Sequence, residues 1–168
     1  ESVGIVGGGP AGLAAAEQLR RKGYAVHVYD RYDRIGGLLI YGIPNFKLEK
    51  EVVQRRVDLL EQGGIVFHRN FEVGRDATLQ DLRDRHAAVL IATGVYRARD
   101  IKVPGVGLDN IVPALDFLVA SNRKGLGDGV PGFDDGSLNA TGKKVVVIGG
   151  GDTAMDCVRT AVRQGADS

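Results

Sequence analysis

Apolar positions recur along this chain with two periods. Short runs of strand length occur at Val3–Val6, Val26–Tyr29, Ile65–His68, Ala87–Ile91 and Val145–Ile148. Between them lie stretches with helical spacing: Pro10–Lys22, Glu49–Gln62, Pro113–Asn122 and Ala154–Gln164. The small face Ala11, Ala14, Ala15 and Leu19 predicts a helix packed closely on a sheet, with Gly23 at its C-terminal cap. Val53, Val57 and Leu60 mark one face of the next helix, which Gly63-Gly64 stops. Thr78 followed by Asp81 reads as a capping box opening a short helix to Arg85. Strand, turn, helix and strand within the first 30 residues make a βαβ unit, which requires a parallel pair. The continuous apolar run Ala87–Ile91 predicts a further, buried parallel strand. Residues 31–47 have no clear period and read as an ordered functional loop. Lys124–Lys143, rich in glycine and aspartate, reads as a surface loop or linker.

The turns between these elements carry the chemistry. Gly7-Gly8-Gly9-Pro10-Ala11-Gly12 has a strand before it, a helix after it, and an acid, Asp30, at the end of the next strand. In that context GxGxxG is a dinucleotide fingerprint rather than a bare glycine turn. Gly7 permits the tight turn, Gly9 lets the backbone approach a pyrophosphate, and Gly12 lets helix and strand close up. The helix start faces the anion, and Asp30 is positioned to accept hydrogen bonds from a ribose diol. The same pattern returns 142 positions later (149 against 7) as Gly149-Gly150-Gly151-Asp152-Thr153-Ala154. The expected fold is α/β: a Rossmann-like FAD/NAD(P)-binding fold with a parallel sheet and a duplicated nucleotide-binding turn. One dinucleotide-binding domain is expected over 1–102 and the start of a second over 103–168, including the loop 124–143; the resemblance given below implies FAD for the first and NADPH for the second. Two such turns suggest a flavin paired with a nicotinamide. The residue that distinguishes NADP from NAD would fall near position 172, so that preference is not readable.

Composition narrows the rest. With 22 Lys+Arg against 21 Asp+Glu there is no electrostatic footprint for nucleic acid or for a membrane surface. There is no signal-peptide pattern and no apolar run of membrane-spanning length, so a cytoplasmic protein is expected. The single cysteine, Cys157, excludes an internal disulfide and lies in a helix as a small packed hydrophobe. Without two cysteines after Gly36-Gly37, electrons must leave the flavin for something other than a local dithiol. His27, His68 and His86 form no spaced cluster and are expected to be structural. Asp128, Asp134 and Asp135 do not have EF-hand spacing, and no metal site is expected. Arg31 and Arg34 follow the ribose acid and are either adenine or phosphate contacts or ordinary solvated charges. No triad or paired-carboxylate set stands out, so no catalytic side chain is assigned.

A resemblance adds to this reading. Val3–Gly12, Tyr29-Asp30-Arg31, Gly36-Gly37-Leu38-Leu39-Ile40-Tyr41-Gly42-Ile43-Pro44, Phe46-Lys47-Leu48, Ala92-Thr93-Gly94 and Gly149–Asp156 together resemble the small (β) subunit of NADPH-dependent glutamate synthase. Dihydropyrimidine dehydrogenase carries a similar module. The resemblance implies an electron-input flavoprotein that takes hydride from NADPH onto FAD. Electrons would pass through iron–sulfur clusters to a large (α) subunit, which makes glutamate from glutamine and 2-oxoglutarate. It implies FAD at Gly7, Gly9, Pro10, Ala11, Gly12 and Asp30, with Arg31, Gly37, Leu38, Lys47, Val73, Thr93 and Gly94 along the cofactor. It implies NADPH at Gly149, Gly150, Gly151, Asp152, Thr153 and Ala154. The iron–sulfur ligands are not in this chain, and both ends lead one to expect an excised piece, inactive alone. The alternatives are a related reductase feeding a pyrimidine reductase or a ferredoxin, and a nucleotide-binding module without turnover.

Overall fold

The computed structural model describes residues 1–96 and 101–168. Residues 97–100 of the expected first domain lie outside the described residues. The chain divides into two compact units: residues 1–40 with 48–95, and residues 41–47 with 96–168.

The first unit is built on a parallel sheet. Strands β1 (Ser2–Val6), β2 (Ala25–Tyr29), β3 (Ile65–His68) and β4 (Ala88–Ile91) stand in the order β3-β2-β1-β4. Val3 pairs with both Val26 and Ala88, and Val26 with Ile65, so the registers are continuous across the sheet. Helices α1 (Pro10–Arg21) and α3 (Lys50–Gln62) contribute Leu13, Ala16, Val57 and Leu60 to the core, against Ile5, Val26 and Val28 of the strands. Each of the leucine, valine and isoleucine side chains contributes about 1.5–3 kcal/mol on burial.

The small face of α1 is turned from the expected one. Gly12, Leu13 and Ala16 are buried, Ala15 and Leu19 pack at the margin, and Ala11 and Ala14 face outward. The reason is Gly12: its missing side chain, rather than the alanines, brings helix and strand together. Residues 31–47 contain a short helix, α2 (Leu38–Tyr41), which follows the two glycines. Helix α4 (Leu79–Arg85) starts on the predicted capping box, Thr78 accepting from the Asp81 amide while the Asp81 carboxylate accepts from the Thr78 amide. Strand β4 is parallel as expected but stands at an edge of the described sheet, with Leu90 and Ile91 exposed rather than buried.

The second unit contains α5 (Ala114–Gly125), α6 (Pro131–Asp134) and α7 (Asp152–Gln164). The expected strand at Val145–Ile148 does not form, because it has no neighbouring strand among the described residues. What does form is the first rung of the corresponding βαβ pairing. The Asp167 amide donates to the Lys143 carbonyl at 2.9 Å, as the Ala25 amide donates to that of Glu1 at 3.1 Å. Both residues of the Asp167–Lys143 bond lie 142 positions after those of the Ala25–Glu1 bond (143 against 1, 167 against 25). No helix among the described residues is long and apolar enough to cross a membrane.

Candidate dinucleotide site

The ends of β1, β2 and β4 converge on the first glycine turn. The Gly7 amide donates to the Tyr29 carbonyl at 2.8 Å, and the Ala92 amide to that of Val6 at 2.8 Å. Gly7 has φ +109°, and a Cβ there would strike the Ala92 carbonyl. A Cβ on Gly12 would overlap the Gly7 carbonyl oxygen. These two glycines are therefore demanded by the chain itself.

Gly9 is different. Its φ is −78°, a value open to any residue, and among the described residues no atom beyond its chain neighbours lies within 4 Å of where its Cβ would stand. Among the described residues nothing fills that space, and a ligand backbone could seat against it. Gly9 also caps α1 without a side-chain hydrogen bond, and the first turn carries no acid. The Ala11 and Gly12 amides thus stand at the positive end of the helix without intrahelical partners, and Pro10 and Ala11 are exposed. The set fits a dinucleotide pyrophosphate.

Asp30 is buried at the tip of β2. Its Oδ2 accepts from the Gly8 amide at 2.6 Å and its Oδ1 from the Tyr32 amide at 2.9 Å. Each oxygen retains a lone pair for a ribose hydroxyl. The Gly8 carbonyl in turn accepts from the Gly36 amide at 2.9 Å. Gly8, which motif reasoning passed over, therefore joins the ribose acid to the second glycine loop. Gly36 and Gly37 both have positive φ, +133° and +53°, and present Leu38 partly exposed at the start of α2. Below it, the buried Lys50 donates from Nζ to the Leu39 carbonyl at 3.0 Å. Burial pulls the ammonium down to about 8. The sequence offered no sign of this lysine.

Among the other expected contacts, Val73 lies half-buried in the loop that the Phe71 amide ties to the Asp30 carbonyl at 2.9 Å. Thr93 and Gly94 are exposed beyond β4, with Gly94 at φ +70°. The guanidinium of Arg31 lies 4.9 Å from the centre of the Tyr32 ring, and that of Arg34 pairs with Asp33 at 3.1 Å. Lys47 falls in the second unit, where its Nζ lies 2.9 Å from Asp156 Oδ1.

The second turn repeats the design. Gly149 has φ +140°, and Gly151 caps α7 at φ −86° and ψ −179°, close to the −78° and −173° of Gly9. Among the described residues no atom beyond the chain neighbours lies within 4 Å of a Cβ at Gly150 or Gly151. Ala154 replaces Gly12, and the first turn carries Asp152, with Thr153 exposed beside it. Cys157 is buried two turns in, its thiol pushed up to about 11 chiefly by burial. Each of the three loop aspartates has a protein partner: Asp128 with Arg123 at 3.0 Å, Asp134 with Lys124 at 2.6 Å, and Asp135 with the Ser137 amide at 2.8 Å.

The histidines require a correction. Far from forming no cluster, they converge on the sheet face opposite the core. His27 Nδ1 lies 3.1 Å from His68 Nε2, and the Tyr29 hydroxyl 2.9 Å from His86 Nε2. Ser2 Oγ meets His86 Nδ1 at 2.9 Å. The convergence arises because His27 and His68 sit on neighbouring strands two residues apart in register, and so on the same face, and His86 lies over Gly4, whose missing Cβ makes room for it. Pairing register is invisible in sequence spacing.

Comparison with known proteins adds three findings. A family model described as pyridine nucleotide-disulphide oxidoreductase matches residues 1–167. The chain is 71% identical over 167 residues to the glutamate synthase (NADPH) small chain of Azospirillum brasilense, and 48% identical over 166 residues to that of Escherichia coli K12. Either alignment covers 99% of this chain and 35% of the relative, so the chain spans about a third of their length. Among solved structures it superposes on Mycobacterium tuberculosis FprA in complex with NADPH with a TM-score of 0.79 and 28% identity, covering 94% of this chain and 35% of FprA.

Proposed function

This chain belongs to the pyridine nucleotide-disulphide oxidoreductase family, and we propose that within it the chain is the dinucleotide-binding part of a glutamate synthase small subunit. In this reading FAD occupies the first turn and NADPH the second. The observation that carries it is that Gly9 and Gly151 cap α1 and α7 with nearly the same backbone angles, each with open space among the described residues where a Cβ would stand. Open space over two helix starts suits two dinucleotides. The order follows from Asp30 and Gly36-Gly37, which back only the first turn.

A bound flavin accepts hydride from a nicotinamide nucleotide and releases the electrons singly. The residues of this chain bind and orient. The amides after Gly9 and Gly151 neutralise pyrophosphate charge, Asp30 holds a ribose, and Gly37 with Leu38 borders the ring system. Arg31, Val73, Thr93 and Gly94 lie along the same cofactor. The lone buried thiol of Cys157 has no partner cysteine, in keeping with electrons leaving for iron–sulfur clusters and a large subunit in the cytoplasm rather than for a dithiol.

The test uses the full-length protein that carries this chain. Asp30→Asn retains one acceptor oxygen but sets an NH2 against a backbone amide, so FAD binding weakens by about 1.5–3 kcal/mol. NADPH binding, read by a nucleotide-exchange titration, stays as it was. A variant that kept its flavin and lost NADPH would reverse the assignment. A wild-type protein whose flavin NADPH does not reduce would remove it.

A further inference from the structure

Residues 41–47 begin directly after the Gly37-Leu38 loop in sequence, yet they belong to the second unit. They hold to it at four points. The buried Asn122 donates from Nδ2 to the Tyr41 carbonyl at 2.9 Å, and the Arg123 guanidinium lies 5.5 Å from the centre of the Tyr41 ring. The Phe46 ring lies under two guanidiniums of α7, Arg159 at 4.5 Å and Arg163 at 3.9 Å. Lys47 Nζ meets both carboxylate oxygens of Asp156, at 2.9 Å and 3.0 Å.

Asp156 is buried, and a buried carboxylate without a partner is unstable in its charged form. Lys47 supplies that partner. Asp156 stands two residues after Ala154, the last residue of the second glycine turn, so whatever fixes Asp156 fixes the start of α7. Arg159 and Arg163 are like charges one helical turn apart, a spacing that repels on its own. The Phe46 ring offers both a π face. Three contacts therefore bear on one helix, and that helix carries the turn.

We propose that residues 41–47 act as a positioning strap for the nicotinamide-side turn, with Lys47 serving as the counter-ion of Asp156 rather than as a ligand of the flavin. The inference rests on the reading that the second turn holds the nicotinamide nucleotide. Lys47 and Asp156 are then positioning residues: they touch neither ring, but set where the Gly149–Ala154 amides point.

The experiment takes the full-length flavoprotein with Lys47→Met, Lys47→Arg, Asp156→Asn and Phe46→Leu. Flavin content, the KM and kcat for NADPH with a dye acceptor, and hydrogen exchange of residues 152–164 without nucleotide are measured. Lys47→Met and Asp156→Asn keep their flavin, raise the KM about tenfold against a nearly constant kcat, and speed exchange in α7 about tenfold. Lys47→Arg restores both, since a guanidinium also meets a carboxylate at two oxygens. Phe46→Leu leaves the ion pair intact and raises the KM about threefold, and it decides the matter if the charge variants are insoluble. Loss of flavin from Lys47→Met with an unchanged KM in the remaining holoprotein would return Lys47 to the flavin site and overturn the strap. So would unchanged KM and exchange in every variant. If NADPH does not reduce even the wild-type flavin, the functional reading falls, and exchange of α7 in Lys47→Met still decides whether the strap holds that helix.

Discussion

At the scale of single residues, glycines that look alike in sequence do different work. A Cβ on Gly12 would meet the Gly7 carbonyl, while one on Gly9 would meet open space among the described residues. Gly12→Ala forces a Cβ into backbone and is expected to cost about 1–3 kcal/mol or more of stability. Gly9→Ala is expected to fold with an unchanged urea midpoint and to lose flavin. Thermal unfolding of the apoprotein and flavin absorbance of the purified variants separate the two. A stable Gly12→Ala, or an unstable Gly9→Ala, would contradict the assignment of one glycine to the protein and the other to its ligand. The fingerprint and Asp30 were legible because spacing along one βαβ unit is local. Gly8, Lys50 and Asp156 were not, since each acts through a contact that no motif spacing encodes: the Gly8 amide on Asp30, the Lys50 ammonium on the Leu39 carbonyl, and Asp156 on Lys47, 109 residues away.

At the scale of elements, local signals predicted helices well and pairing poorly. Thr78 and Asp81 announce α4, and Gly63-Gly64 ends α3. A strand, however, is made by its neighbours, so the apolar run Ala87–Ile91 came out as an exposed edge and Val145–Ile148 formed no strand among the described residues. The histidine cluster has the same origin, and a measurable consequence. Burial holds His68 below its ordinary 6.5, with His27, His86 and Arg85 adding to the effect; burial likewise lowers His86, beside His27 and Arg85. The other groups facing them, Ser2, Tyr29 and Phe71, carry no compensating negative charge. Below pH 6.5 the unfolded chain therefore binds more protons than the folded one. Stability is complete above that pH and is lost as pH falls toward the depressed native values, by at most about 1.4 kcal/mol per pH unit for each histidine. Urea midpoints between about pH 7.5 and about pH 5 should show this decline, and His68→Gln should make it shallower. A decline as steep in the variant would assign the effect to other groups.

At the scale of the whole molecule, the chain contains one design twice, with the same displacement in its glycines, its helix caps and its first strand rung. The copies differ in what surrounds them. In the second, Val146 is 87% exposed and Ile148 72%. The 168-residue chain should therefore bind the apolar dye ANS, and Val146→Lys with Ile148→Lys should lower that binding without altering the far-UV spectrum. Unchanged dye binding would place the sticky surface elsewhere. The repetition also bears on inhibition. A compound that mimics only a pyrophosphate against a bare glycine fits the gap beside Gly9 and the gap beside Gly151 equally, and it would meet the same gap in any enzyme with such a turn. Selectivity for one of the two seats in this protein must come from groups that reach past the turn, to the Asp30 carboxylate and the Gly36-Gly37 backbone on one side, or to the Asp152 carboxylate on the other.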